Sequence, residues 1–325
     1  MIFLDRTEIT NKINHFAVRK VPFLFAIDFH ARSGFVLSPE EARRKGILYE
    51  FPDHRNIPVA KEKHLFHFGF HPIDFQVYKK AYNKVLFHLK KGDTYLLNLT
   101  FPTSLETDLS LLDLFLLCQA PYKLHVPGYF TVFSPETFIE INGQEILSRP
   151  MKGTIRADLP DAGKVLLEDR KEFFEHNTIV DLIRNDLSMV SSGVMVRRFR
   201  YLERIHTNRG DLLQMSSEIC GRLPDGYRSR LGDILFTLLP AGSVTGAPKE
   251  RTVRIIREAE AYDRGFYTGI FGYFDGKSLV SAVLIRFIEQ SEEGLFFKSG
   301  GGITALSDMR GEYNEMIAKV YVPVV

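Results

Sequence analysis

Lys152 lies in the segment 148–154, where a strand-like run meets a glycine, and Arg149 and Arg156 flank it in sequence. Neighbouring cations and partial burial would lower the pKa of this lysine and leave its amine neutral and nucleophilic. Most lysines are solvated surface residues, however, and the local sequence alone favours that simpler interpretation. Lys152 is therefore a candidate nucleophile that needs support from other segments.

Two glutamates, Glu172 and Glu175, are three residues apart in a stretch with helical character, so they share a helical face. Two like charges on one face are mildly unfavourable unless a cation lies between them, and Mg²⁺ prefers carboxylate oxygens as ligands. The alternative is a hydrated acidic face balanced by neighbouring basic residues. The spacing is compatible with a magnesium site but does not require one.

A glycine-rich loop, residues 240–249, leads into a predicted helix that has Pro248 at its first position. Free backbone N–H groups at such a helix start bind phosphate or carboxylate groups. The glycine and lysine spacing is not that of a P-loop. The loop is a candidate anion site, with a plain turn as the alternative.

Three consecutive glycines, Gly300 to Gly302, follow a predicted strand, and the last predicted helix carries Glu312, Glu315 and Lys319 on one face. Glycines after a strand allow a ligand to approach the backbone closely. A tight turn and an ordinary helical salt bridge between Glu315 and Lys319 would explain the same residues.

The elements that would position these residues come in blocks rather than in strict alternation. A dense strand region covers residues 123–147, and its Asn142-Gly143 turn is the strongest hairpin signal in the chain. Further strands are predicted at 23–29, 95–99, 269–274, 279–288 and 295–299, and helices at 39–45, 75–90, 163–189, 227–239, 248–262 and 310–320. This order predicts an α+β protein with mostly antiparallel sheet.

The composition excludes several classes of protein. The 325 residues include 42 Lys and Arg against 40 Asp and Glu, a formal net charge of +2, and 45% are hydrophobic. Neither a disordered chain nor a protein that coats nucleic acid fits this balance, whereas a small anionic substrate is compatible with it. Cys118 and Cys220 are far apart and predict free thiols. No segment resembles a signal peptide or a membrane span, so we expect a cytoplasmic protein.

Together, and in this order, the four segments closely resemble those of the chorismate-utilising enzymes, a family that includes anthranilate, aminodeoxychorismate, isochorismate and salicylate synthases. The resemblance covers roughly residues 92–319 and includes motifs at 92–99, 134–136, 264–269 and 285–286. It implies the chorismate-binding fold, with large, mostly antiparallel sheets in a two-lobed core and helices packed outside. It also implies a single catalytic domain over residues 1–325, with a shortened N-terminal portion of about residues 1–91.

The resemblance further implies a metal cofactor. In this family pattern Mg²⁺ would be held by Glu175 and Glu315, supported by Glu172 and Glu312, and would bind the ring carboxylate of chorismate.

The same resemblance implies roles for the catalytic residues. Glu136 would act as general acid on the departing 4-hydroxyl group while the Lys152 amine adds at C2. The acid must be protonated and the amine neutral at the same pH, so opposed pKa shifts are expected. The residues that would contact the substrate are Thr154, Gly246, Ala247, Tyr267, Arg286, Gly300, Gly302 and Lys319.

Lys152 also decides which activity the resemblance implies. Anthranilate synthases usually have alanine here, whereas lysine is typical of the aminodeoxychorismate enzymes. The isochorismate and salicylate enzymes use a lysine that would fall at Leu96, and leucine cannot activate water. The expected reaction is therefore amination of chorismate by ammonia to 4-amino-4-deoxychorismate, in 4-aminobenzoate and folate biosynthesis. Anthranilate synthesis and a catalytically silent chorismate-binding subunit are the alternatives.

Two departures from the family pattern bear on the mechanism and on the partner. Gln214 stands where relatives usually carry histidine, so a hydrogen bond is possible there but proton transfer is not. Neither cysteine lies in a nucleophile elbow, so the chain has no recognisable glutaminase. We therefore expect ammonia to come from solution or from a separate glutamine amidotransferase subunit.

Overall fold

The computed structural model describes residues 3–57, 66–205 and 211–323. In chain order the described helices are α1 Arg6–Val18, α2 Pro39–Arg44, α3 Phe75–Lys91, α4 Leu111–Leu117, α5 Ala162–Glu168, α6 Arg170–Ser188, α7 Leu231–Leu238, α8 Lys249–Glu260 and α9 Met309–Ala318. The described strands are β1 Leu4–Asp5, β2 Phe23–Ile27, β3 Ser33–Leu37, β4 Leu48–Phe51, β5 His54–Arg55, β6 Phe68–His71, β7 Leu96–Thr107, β8 Tyr122–Val126, β9 Phe130–Ser134, β10 Thr137–Asn142, β11 Glu145–Ser148, β12 Met151–Arg156, β13 Ser192–Ile205, β14 Leu212–Arg222, β15 Gly246–Ala247, β16 Ile270–Phe274, β17 Leu279–Val283, β18 Phe287–Ser291 and β19 Gly294–Ile303.

These strands form two large sheets. The first sheet has the order β1-β3-β2-β16-β17-β10-β11-β14-β12, with β13 paired to β14, and the second has the order β15-β7-β19-β18-β9-β8-β4-β5, with β6 paired to β7. Each pairing between described strands is antiparallel. The predicted α+β class with mostly antiparallel sheet is confirmed.

The two sheets pack face to face, and the helices cover their outer faces. Strand β2 shows why: Leu24 and Ala26 point into the core between the sheets, whereas Phe23 and Phe25 point to the other side, where α1, α6 and α7 pack. On the outer face of the second sheet, α3, α8 and α9 bury a separate apolar cluster against β7 and β19. Because side chains alternate along a strand, a fully apolar strand such as β2 serves both layers.

Two predictions about strands have opposite outcomes. The hairpin at Asn142-Gly143 is confirmed, because β10 and β11 pair with Asn142 opposite Glu145 and Gly143 has a φ of +60°. The single strand predicted over residues 279–288 is wrong. Strand β17 belongs to the first sheet and β18 to the second, and Arg286, with a φ of +53°, lies at the crossing between them. A continuous apolar pattern cannot reveal such a crossing, since both strands are buried.

No helix among the described residues is both long and apolar enough to cross a lipid bilayer.

Candidate active site

Lys152 reaches the candidate site from β12 at the edge of the first sheet, and its partner comes from α6. Helix α6 begins after Asp169, whose side chain accepts a hydrogen bond from the backbone N–H of Glu172. One turn further along α6, Glu175 Oε2 lies 2.8 Å from Lys152 Nζ. Glu175 is buried, while the Lys152 side chain keeps 27% exposure. The lysine therefore lies in an ion pair that remains open on one side.

The electrostatic surroundings of Lys152 differ from the expectation. Burial favours the neutral amine, but Glu175, followed by Glu172 and Glu315, outweighs this effect, and the pKa of Lys152 is raised. The expected neighbours Arg149 and Arg156 pair elsewhere, Arg149 with Glu140 and Glu218 and Arg156 with Asp158. The predicted lowering of the lysine pKa is thus wrong for this state of the protein, because carboxylates rather than cations surround the amine.

The glycines that a turn would have explained lie inside a strand. Gly300, Gly301 and Gly302 belong to β19 and pair with residues of β7, so the alternative of a tight turn is wrong. A Cβ atom added at Gly300 would lie 2.3 Å from the carbonyl oxygen of Leu99, which no side chain could tolerate. At Gly302 a Cβ atom would lie 3.6 Å from Lys152 Nζ. Because these three residues of β19 have no side chains, Lys152 can approach the backbone of the second sheet.

Helix α9 completes this wall of the site. Lys319, just beyond its C-terminal end, donates to the carbonyl oxygen of Gly300 at 2.9 Å and pairs with Glu315 at 2.8 Å. Glu312 is buried on the same helix. Burial lowers the pKa of Lys319. The predicted pairing of Glu315 with Lys319 is present, and it lies at the glycine strand rather than on a separate surface.

Glu136 lies in the loop between β9 and β10, and its side chain is held by Ser243 of the glycine-rich loop. The hydroxyl group of Ser243 donates to Glu136 Oε1. Burial raises the pKa of Glu136, while Ser243 and the nearby Lys152 and Arg286 act in the opposite direction. The net increase is the direction required of a general acid. The contact joins residues 107 positions apart, so no local sequence signal could indicate it.

The residues expected to bind substrate lie in different parts of the fold. Arg286 has a buried Nε without an acceptor among the described residues, and its guanidinium lies 5.1 Å from the ring centre of Tyr321. Tyr267 is almost fully buried beside it in the core. Gly246 and Ala247 form β15, which pairs with β7, so this loop adds a strand to the second sheet instead of opening freely towards a ligand.

Thr154 lies two residues after Lys152 on the same strand. It is exposed on β12, directly across from Gln214 on β14. The residue that replaces the usual histidine is therefore a cross-strand neighbour of the segment that carries Lys152.

Comparison with known proteins identifies the family. The sequence profile of the chorismate binding enzymes matches residues 21–324. The chain belongs to the chorismate binding enzyme family. The match covers nearly all of the chain and includes both walls of the site.

Relatives within this family fall into two groups. A PabA-like protein of Pasteurella multocida is 50% identical over 313 residues, 96% of this chain and 97% of that protein, and a PabA-like protein of Haemophilus influenzae is 48% identical over 311 residues, 96% and 95%. Aminodeoxychorismate synthase component 1 of Salmonella typhimurium is 34% identical over 261 residues, 75% of this chain but only 56% of that protein. An anthranilate synthase component 1 of Haloarcula marismortui is 36% identical over 248 residues, 71% and 49%.

Solved structures support the fold. The menaquinone-specific isochorismate synthase of Escherichia coli superposes with a TM-score of 0.72 at 17% identity, covering 96% of this chain and 80% of that one. Anthranilate synthase component I of Streptococcus pneumoniae superposes with a TM-score of 0.67 at 26% identity, covering 78% and 58%. The expected chorismate-binding fold is thereby confirmed.

The family resemblance raises the question of whether the site suits Mg²⁺. Hard oxygen ligands for the cation would come from Glu172, Glu175, Glu312 and Glu315. A Cβ atom at Gly301 would lie 3.4 Å from Glu312 Oε2 and 3.8 Å from Glu315 Oε1, so the glycine keeps the space beside both carboxylates open. Among the described residues no three His, Cys, Asp or Glu side chains are already gathered as a metal site. The donor chemistry fits the cation, provided that Glu175 and Glu315 exchange their lysine partners for it.

Proposed function

We propose that this chain is the chorismate-aminating subunit of an aminodeoxychorismate synthase. The observation that carries the proposal is the position of Lys152, which contacts Glu175 of α6 and approaches Gly302 of β19. A lysine there supplies an amine that can bond to the ring. Relatives of both the aminodeoxychorismate and the anthranilate kind lie at similar identity, so the proposal depends on this residue and not on overall similarity.

Arg286, Lys319 and the glycine strand would bind the two carboxylates of chorismate. Glu175 and Glu315, with Glu172 and Glu312 behind them, would hold Mg²⁺, which supplies positive charge against the ring carboxylate when bound. Lys152 would then lose its carboxylate partner, which favours the neutral amine.

The chemistry proceeds in two substitutions. The Lys152 amine forms a bond to C2, the two conjugated double bonds of the ring each shift by one position, and the C4–O bond breaks as Glu136 gives its proton to the departing hydroxyl group, which leaves as water. Ammonia then forms a bond to C4, both double bonds shift back, and the C2–N bond to Lys152 breaks. The surplus proton of the new amine returns to Glu136, so the acid is regenerated.

The ammonia would be supplied from outside this chain. Cys118 and Cys220 are both buried free thiols, so neither is accessible to glutamine as a nucleophile, and burial raises the pKa of Cys118 to about 12. A separate glutamine amidotransferase subunit is the expected partner.

The test is to incubate the purified chain with chorismate, Mg²⁺ and ammonium and to identify the products by mass spectrometry, with and without EDTA. Metal-dependent 4-amino-4-deoxychorismate, which an added aminodeoxychorismate lyase converts to 4-aminobenzoate, is the expected result. Anthranilate instead would refute the assignment and would mean that Lys152 does not determine the activity. Unchanged chorismate, even with an amidotransferase partner and glutamine present, would favour a catalytically silent subunit.

A further inference from the structure

A small cavity is lined both by Glu136 and by residues of α6. Its volume is about 20 Å³, somewhat more than the roughly 10–15 Å³ that one water-sized molecule requires. Glu136 and Ser243 line it, together with Ile183, Asp186 and Leu187 of α6. The cavity therefore adjoins the reacting centre and has room for one very small molecule.

Asp186 gives this cavity a polar atom that needs a donor. Its Oδ2 accepts from Lys249 Nζ at 2.7 Å, and the side chain is only 8% exposed. Its Oδ1 is buried and has no hydrogen-bond donor among the described residues. A buried carboxylate oxygen in this state favours a bound molecule that carries N–H or O–H groups.

The apolar lining and the nearby Lys249 limit the charge that a bound molecule can carry. Phe138, Ile183, Leu187 and Leu238 make much of the lining apolar. Lys249 already balances the negative charge of Asp186, so a second cation would be poorly accommodated. A neutral donor of about the size of water fits both conditions.

We propose that this cavity is the binding site for ammonia, with Asp186 Oδ1 as its acceptor; the inference rests on the proposed function. Ammonia held there lies beside Glu136, the group that would take up its surplus proton after attack at C4. Asp186 is then a positioning residue for the second substrate and does not take part in binding chorismate.

The test measures the apparent KM for ammonia and for chorismate separately. Asp186→Leu combined with Lys249→Met removes the acceptor without leaving an unpaired buried charge. We expect the KM for ammonia to rise about tenfold, the factor for one hydrogen bond to a charged group, with the KM for chorismate unchanged. An unchanged KM for ammonia, or an equal rise in both values, would overturn the inference.

A second variant keeps the test decisive if the double substitution prevents folding. Ile183→Phe fills the cavity from the same helix, and Ile179→Phe is its control, because Ile179 is equally part of the buried core but does not line the cavity. The KM for ammonia should rise only in Ile183→Phe; equal values in the two variants would contradict the inference. If the unmodified chain makes no aminated chorismate at any ammonium concentration, the proposed function fails, and the ammonia site fails with it.

Discussion

Two ion pairs in this molecule are built in opposite ways. Arg264 and Glu260 are almost completely buried, and the five N–H groups of the arginine reach Glu260, Thr268 and two backbone carbonyl oxygens. Glu260 accepts two further hydrogen bonds from Thr100. Lys152 and Glu175 form the other pair, in which the lysine keeps 27% exposure and its amine faces a bare glycine strand.

This difference indicates that the Arg264–Glu260 pair stabilises the fold, whereas the Lys152–Glu175 pair is available for chemistry. A buried pair with all of its hydrogen bonds made resists exchange with any ligand, since each bond would have to be replaced. A lysine with one strong partner and one open side can leave that partner for a substrate. We therefore expect substitutions in the first pair to affect folding and substitutions in the second to affect the reaction.

The largest effect is expected from Lys152→Ala. Loss of the attacking amine should lower the rate of chorismate amination at least about 10⁴-fold, as for other enzymes that lose their nucleophile. The melting temperature should change far less than in the Arg264 variant below. Lys164→Ala, an exposed lysine on α5, is the matched control. A Lys152→Ala enzyme with full activity on ammonia would refute the covalent route.

Arg264→Met should cost about 3–5 kcal/mol of unfolding free energy, because Glu260 would be left buried without its partner. Denaturant unfolding measures this cost. Arg184→Met is the control, since Arg184 pairs with Asp181 on the surface and should contribute less than about 1 kcal/mol. Adding Glu260→Met to Arg264→Met should recover part of the loss. Equal costs for the two arginines would show that the supposed structural pair is not special.

The sequence predicts which residues share the candidate site better than it predicts their electrostatics. Lys152, Glu175 and Glu315 come close together, as the family resemblance implied, whereas the three glycines lie inside β19 and not after a strand. The raised pKa of Lys152 depends on Glu175 of α6 and Glu315 of α9, which the local sequence around Lys152 does not contain. The contact between Ser243 and Glu136 likewise depends on the tertiary fold alone.

The fold likewise has features that carry a local sequence signal and features that carry none. Helix α1 is not among the predicted elements, although the sequence carries a local signal for it: Asp5 and Glu8 form a capping box, and Ile9, Ile13 and Ala17 follow at helical spacing. The split of residues 279–288 between two sheets had no local signal, because both strands are equally apolar.

Glu136→Gln should lower the amination rate by about 10²- to 10³-fold, because the amide N–H groups are too weakly acidic to protonate the departing hydroxyl group. The pH profile of kcat/KM provides a second measurement. Burial raises the pKa of Glu136, so the protonated acid persists to higher pH than an ordinary carboxyl group, and the rate of the unmodified enzyme should fall as pH rises through that pKa. The variant should lose this alkaline decline; a profile identical in shape would exclude Glu136 as the acid.

Ser243→Ala should have the smallest effect on rate, no more than about tenfold, but a distinct effect on pH dependence. The hydroxyl group of Ser243 donates to Glu136 and so lowers the pKa that burial raises. Without it the pKa of Glu136 should rise further, and the alkaline limb of the kcat/KM profile should move to higher pH. Ser188→Ala, which removes only a hydrogen bond to the carbonyl oxygen of Arg184 on α6, should leave the limb in place. A shift of the alkaline limb to lower pH would contradict this prediction, because it would mean that Ser243 stabilises the protonated form of Glu136 instead of the carboxylate.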